Sequence, residues 1–156
     1  MNTIELFFEA IRNKDQSTIE TMLAQHPDLV NAKDGRGFTP LIFATYFDNE
    51  EAAKTLIAHH AELDAKDATG NTALIGLCFK GNEKLATLLI DNGANINAKN
   101  TMGTTPLIFA TMYNKEAIIK LLLSKGADKS IKDNEGKSAY DHALEKQFNT
   151  LFELLK

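Results

Sequence analysis

Apolar positions along this chain come in bursts at helical spacing, separated by short polar stretches rich in Gly, Asn and Asp. The bursts are not independent. "GFTPLIFATYF" at 37–47 returns as "GTTPLIFATMY" at 103–113, with eight of eleven letters unchanged. Degraded copies lie midway, "GNTALIGLCFK" at 70–80, and one step further on, "GKSAYDHALEK" at 136–146. The period is therefore 33 residues. A second motif keeps the same step: "HPDLVNAKD" (26–34), "HHAELDAKD" (59–67), "NGANINAKN" (92–100) and "KGADKSIKD" (125–133). A fixed period of this size marks one supersecondary unit used several times. The units are 34–66, 67–99, 100–132 and a truncated 133–156, preceded by a divergent 1–33.

Each unit reads as two helices and an extended turn. Thr39, Thr72, Thr105 and Ser138 stand where a hydroxyl can accept from the free N–H groups of a first helix. Pro40 and Pro106 follow at the first helical position, where a missing N–H costs nothing. A second helix begins near Glu50, Glu83 or Glu116, acids suited to the positive end of a helix dipole. It ends near Gly93 and Gly126, which can take the left-handed conformation. Helix pairs this short cannot bury their apolar faces alone, so neighbouring units must stack.

Thirty-three residues, with G-x-T-P-L opening a short helix, L-L-x-x-G-A closing a longer one and N-A before an Asp, resemble the ankyrin repeat. The resemblance is strong over 34–156 and weaker over 1–33. It implies an all-α solenoid of stacked helix–turn–helix units with protruding hairpin-like turns, forming one domain over 1–156. It also implies a protein that binds other proteins through hairpin tips and the concave helix face. The family usually carries His after Thr-Pro-Leu, where this chain has Ile42, Ile75 and Ile108. That exchange loses a polar contact to the capping threonine and adds apolar stacking area, worth roughly 1.5–3 kcal/mol per fully buried Ile. His60 stands where the family prefers Gly, a mildly strained choice if the backbone is left-handed there.

Equivalent slots read as columns carry further information. Ile42, Ile75 and Ile108 become Asp141 in the last unit, and Phe43, Gly76 and Phe109 become His142. Apolar slots that turn polar are expected in a capping repeat whose outer face meets water. The units at 1–33 and 133–156 are thus expected to cap the solenoid, which ends at Lys156. Gly76 allows two readings: it makes room for a flanking phenylalanine in a packed interior, or it leaves a small groove for a partner's side chain. Tyr46, Phe79 and Met112, with Phe47, Lys80 and Tyr113 beside them, close the first helices, and the resemblance puts these slots on the concave face. Aromatic residues and Met are enriched at binding hot spots. The expected contact set is Arg36, Phe38, Tyr46, Phe47, Asn71, Phe79, Lys80, Met102, Thr104, Met112 and Tyr113. Where the two near-identical copies diverge, at Phe38 against Thr104 and at Tyr46-Phe47 against Met112-Tyr113, side chains are expected to leave the core.

Charge narrows the partner. Lys33, Lys66, Lys99 and Lys132 recur at the hairpin bases, each followed by Asp34, Asp67, Asn100 or Asp133, and read either as solvated side chains or as a ladder for an acidic protein segment. A net charge of −4 argues against a nucleic-acid partner. No apolar run approaches the length needed to cross a bilayer. The single cysteine, Cys78, makes no internal disulfide, and "MNTIELFFEAIRNKD" lacks the basic start of a signal peptide. The expected compartment is the cytoplasm, with secretion lacking a cleaved signal left open.

Chemistry is sparse. Cys78 falls where small residues pack, and His26, His59, His60 and His142 are scattered. Neither a catalytic set nor a metal site is expected, and no cofactor. The expected function is binding another protein as a monomer. The alternatives are a self-associating structural protein and a small-ligand binder using a groove near Gly76.

Overall fold

A computed structural model describes all residues 1–156. It contains ten α-helices, two 3-10 turns and no strand. The helices are α1 (Thr3–Arg12), α2 (Gln16–Gln25), α3 (Pro40–Tyr46), α4 (Glu50–Ala58), α5 (Ala73–Lys80), α6 (Glu83–Asp91), α7 (Pro106–Met112), α8 (Glu116–Ser124), α9 (Ala139–Lys146) and α10 (Phe152–Leu155). The chain forms two compact units, Met1–Ala73 and Leu74–Lys156.

In the first unit α1 packs on α2 and α3, and α4 packs on α3 and α2. Phe7, Ile11, Ile19, Leu23, Leu41 and Leu56 are fully buried there. In the second unit α7 packs on α8 and α9, α6 on α8, and α10 on α9. Leu85, Leu89, Leu107, Ile108, Ile118 and Leu122 form its interior. Helices of seven to ten residues are too short to persist alone in water. Burial of these aliphatic side chains, about 1.5–3 kcal/mol each, is what holds them.

The predicted caps are present. Thr39 Oγ1 accepts from the Ile42 N–H and Thr105 Oγ1 from the Ile108 N–H, both at 3.2 Å. Ser138 and Asp141 form a reciprocal capping box, each side chain accepting from the other's backbone N–H. The second helices start at Glu50, Glu83 and Glu116 as expected, but their caps lie one residue earlier. Asn49 Oδ1 accepts from the Ala52 N–H and Asn82 Oδ1 from the Leu85 N–H. Asn49 also donates to the Ile11 carbonyl at 2.9 Å and is buried, so it ties α4 to α1 as well as capping it. Lys115 occupies the same slot before α8 and makes no side-chain cap.

The left-handed C-terminal positions are His60 (φ 65°), Gly93 (φ 102°) and Gly126 (φ 93°), as the repeat anticipated. After each, the next N–H reaches back to the helix: Ala61 to the Leu56 carbonyl, Ala94 to Leu89 and Ala127 to Leu122, all at 3.0 Å. A second left-handed column, at Asp48, Asn114 and Gln147, ends the first helices and escaped the sequence reading.

The extended turns are closed by one repeated device. Asp34 Oδ1 accepts from the N–H groups of Arg36 and Phe38, and Asp67 Oδ1 from those of Thr69 and Asn71. Asn100 Oδ1 accepts from Met102 and Thr104, and Asp133 Oδ1 from Glu135 and Lys137. All eight bonds are 2.9–3.0 Å. The same four residues also exchange backbone bonds with the residue four positions on, as between Asp34 N–H and the Phe38 carbonyl. In the second unit two successive turns touch. The Asn134 N–H donates to the Met102 carbonyl and Asn134 Nδ2 to the Thr101 carbonyl, both at 3.0 Å. A Cβ on Gly103 (φ 75°) would lie against Asn134 Oδ1 and 2.9 Å from its backbone nitrogen, so this position requires glycine.

One expectation for the last unit is corrected. His142 does not face water; it is 8% exposed, and its Nε2 lies 2.7 Å from Asp133 Oδ2. Asp141 serves the capping box. The polar pair is there because the last turn and helix use it internally, not because the slot is wet.

Burial pushes the Asp133 carboxyl up. The hydrogen bonds from His142 and from the Lys137 and Glu135 N–H groups outweigh that, leaving it below its ordinary value. Asp34 is likewise held low, burial being outweighed by Arg36 and the Phe38 N–H. On acidification the unfolded chain therefore takes up these protons first. The stability the two carboxylates supply is complete above about pH 4 and is lost as pH falls through the lower folded-state values. Asp133→Asn keeps the turn acceptor, as Asn100 does, but loses the charged contact to His142. It should cost about 1–2 kcal/mol at pH 7 in urea unfolding. Its stability should also fall less steeply than the parent's below about pH 4.

Candidate functional site

The first helices end in aromatic residues that the core does not absorb. In the first unit α3 carries Tyr46, which is 63% exposed, and Phe47, which is half-buried. Their rings meet edge-on at 5.0 Å, and Phe47 leans on the buried Phe43 at 4.8 Å. Phe43 in turn meets Phe8 edge-on at 5.0 Å, so a ladder of rings runs outward from the core. On the turn, Arg36 Nη2 is held by Asp34 Oδ2 at 2.9 Å, and the guanidinium lies 4.8 Å from the Phe38 ring centroid and 5.5 Å from that of Phe43. Arg36 and Phe38 thus form a stacked surface that Asp34 orients.

In the second unit Phe79 on α5 is 51% exposed and meets Tyr113 at the end of α7, 46% exposed, edge-on at 4.8 Å. Tyr113 rests on the half-buried Phe109 at 5.1 Å. Lys80, next to Phe79, is exposed, and Met112 is half-buried. Met102, at a turn tip, is 58% exposed. Asn71 is half-buried, its N–H held by Asp67. Thr104 departs from expectation: it is 5% exposed and sits inside the turn, because the Asn100 carboxamide draws its N–H inward. A threonine fits the space; its slot-mate Phe38 does not and spreads beneath Arg36 instead.

Gly76 decides between its two readings. It is exposed, and a Cβ added there would meet nothing within 4 Å. The packed-interior reading is therefore wrong, since no side chain occupies the space glycine leaves. The slot is an open notch on α5, one helical turn before Phe79.

The chain as a whole matches a family model described as ankyrin repeats (3 copies) over residues 7–100 and 77–156. The chain belongs to the ankyrin-repeat family. The match reaches back into the divergent first 33 residues, where the sequence pattern is weakest. Comparison with curated proteins gives no match. Ankyrin repeats are generally protein–protein interaction modules and typically lack catalytic activity.

The remaining chemistry of this ankyrin-repeat chain is consistent with that class. Cys78 is buried, and burial pushes its thiol well above the ordinary range, so it is a poor nucleophile. No three His, Cys, Asp or Glu side chains converge as metal ligands. No helix is long and apolar enough to cross a membrane. Lys33, Lys66, Lys99 and Lys132 are all exposed at the turn bases.

Two positions near the second aromatic pair go against local stability. Glycine inside a helix costs about 1 kcal/mol against alanine, and Lys115 leaves α8 uncapped with a cation at its positive end. Gly76→Ala should therefore raise stability by about 1 kcal/mol, and Lys115→Asn, restoring the Asn49 and Asn82 pattern, by about 0.5–2 kcal/mol. Urea unfolding of each variant checks both. A loss of stability for Gly76→Ala would mean that the notch is filled.

Proposed function

We propose that residues 1–156 act as a single ankyrin-repeat domain that binds a partner protein as a monomer in the cytoplasm. Units 1–33 and 133–156 cap the repeats 34–66, 67–99 and 100–132. Contact is made through the turn tips and the concave face that the family resemblance implies. Arg36, Phe38, Tyr46, Phe47, Asn71, Phe79, Lys80, Met102, Met112 and Tyr113 supply it, with Thr104 shaping the turn from within. The observation that carries this reading is the exposure of Tyr46, Phe79, Met102 and Tyr113, four large side chains on short, well-buried helices and their turns. A folded chain gains nothing from leaving such rings in water, whereas a partner that covers them removes apolar area at little entropic cost. Packing fixes Phe79 against Tyr113 before any partner arrives.

The test is a triple replacement, Tyr46→Ser, Phe79→Ser and Tyr113→Ser. A pull-down from the source organism with the parent chain, read by mass spectrometry, should identify a partner that the triple variant fails to retain. The melting temperature of the variant should stay within a few degrees of the parent, the lost ring contact being worth about 0.5–1.5 kcal/mol. A large fall in melting temperature would instead assign the rings to the core. Light scattering should give a monomer mass at every concentration, and association through the same rings would favour the self-assembling reading.

A further inference from the structure

Three local anomalies converge in the second unit. Gly76 opens a notch on α5 where a side chain would meet only solvent. Phe79 and Tyr113, about half-exposed, form the wall beside it, with Phe109 behind Tyr113. Lys115 stands at the α8 N-terminus, where asparagine caps the equivalent helices, and its stem passes 3.8 Å from where a Cβ on Gly81 would lie. Each choice lowers local stability, and nothing within the fold compensates for it. Departures from local rules that cluster on one surface mark function more often than accident.

The charges say what kind of occupant fits. Lys80 follows Phe79, Lys84 lies on the first turn of α6, and Lys115 closes the set. The nearby carboxylates are Glu83 and Glu116, the first residues of α6 and α8, and Glu116 is already paired with Lys120 at 3.3 Å. The asymmetry extends over the unit. Residues 74–156 hold eleven lysines against nine carboxylates, whereas residues 1–73 hold six basic groups against twelve acidic ones. The aromatic pair of the second unit therefore sits on the basic part of an acidic chain.

We infer that this notch receives an acidic segment of the partner protein, which seats one bulky apolar side chain over Gly76 against Phe79 and Tyr113 and directs flanking carboxylates to Lys80 and Lys115. The inference rests on the protein-binding reading above and adds the chemistry of the bound segment. Glycine leaves depth for the apolar anchor. The lysine at the α8 cap adds a cation where the helix N-terminus already favours negative charge.

Selection of a random peptide library on the full-length chain tests this without knowledge of the partner. The enriched peptides should carry an aromatic or branched aliphatic residue flanked by Asp or Glu. Fluorescence anisotropy of an enriched peptide should show affinity falling as salt is raised, and falling about tenfold or more in Gly76→Leu and in Lys115→Asn. Urea unfolding of Lys115→Asn should at the same time show a more stable protein, so lost binding is not lost folding. Enrichment of basic or uncharged peptides, affinity unchanged by Gly76→Leu, or no enrichment at all would overturn the inference. If the selected peptides lack acid but still fail to bind the triple Ser variant, the aromatic surface stands and only the acidic occupant is lost.

Discussion

A single side-chain oxygen, repeated four times, is the interaction on which the rest of this structure depends. Asp34, Asp67, Asn100 and Asp133 each use Oδ1 to gather two backbone N–H groups from the following turn. Without that acceptor the turn would present donors with no strand ladder to receive them, since the fold contains no strand. Only Oδ1 is committed, which leaves the second oxygen free for local use. Asp34 spends it on orienting Arg36 over two phenylalanines, Asp133 on the buried His142, and Asn100 places an amide there instead. The turn is thus constant while its outer decoration varies, which is how one repeat presents different surfaces.

The helices show the same division between constant frame and variable end. Each first helix is entered through a hydroxyl cap or capping box where Thr39, Thr105 and Ser138 stand. Asp48, Asn114 and Gln147 end first helices in the left-handed region. A non-glycine residue in that conformation is tolerated when its neighbours are held on both sides, as these are by a helix end and the start of the next helix. The exposed rings therefore sit beside a stiff corner of the backbone, and their directions are set by the corner rather than by contacts of their own.

Much of the fold was legible because the sequence states it several times. The period of 33, the helix starts at Glu50, Glu83 and Glu116, and the left-handed ends at His60, Gly93 and Gly126 all follow from slots compared within the chain. The second-helix caps at Asn49 and Asn82 were equally available but were passed over in favour of the acids that follow them. The proposed site was legible only in part. Exposure of Tyr46, Phe79, Met102 and Tyr113 agrees with their divergence between copies, whereas Thr104, just as divergent, is buried. Divergence says that a slot is not held constant; it does not say which way the side chain turns.

The sequence by itself determined the repeat, its helix boundaries and the family, because those depend on local propensity, capping and periodicity, all of which act over a few residues. Three-dimensional packing alone decided the rest. Whether Gly76 fills or opens a space depends on side chains distant in sequence, and none reaches it. Whether His142 faces water depends on a carboxylate nine residues back that is itself only 6% exposed. A column of letters records which residue types a slot accepts, but the burial of a slot and the partner of a polar atom are properties of the neighbours that folding brings to it.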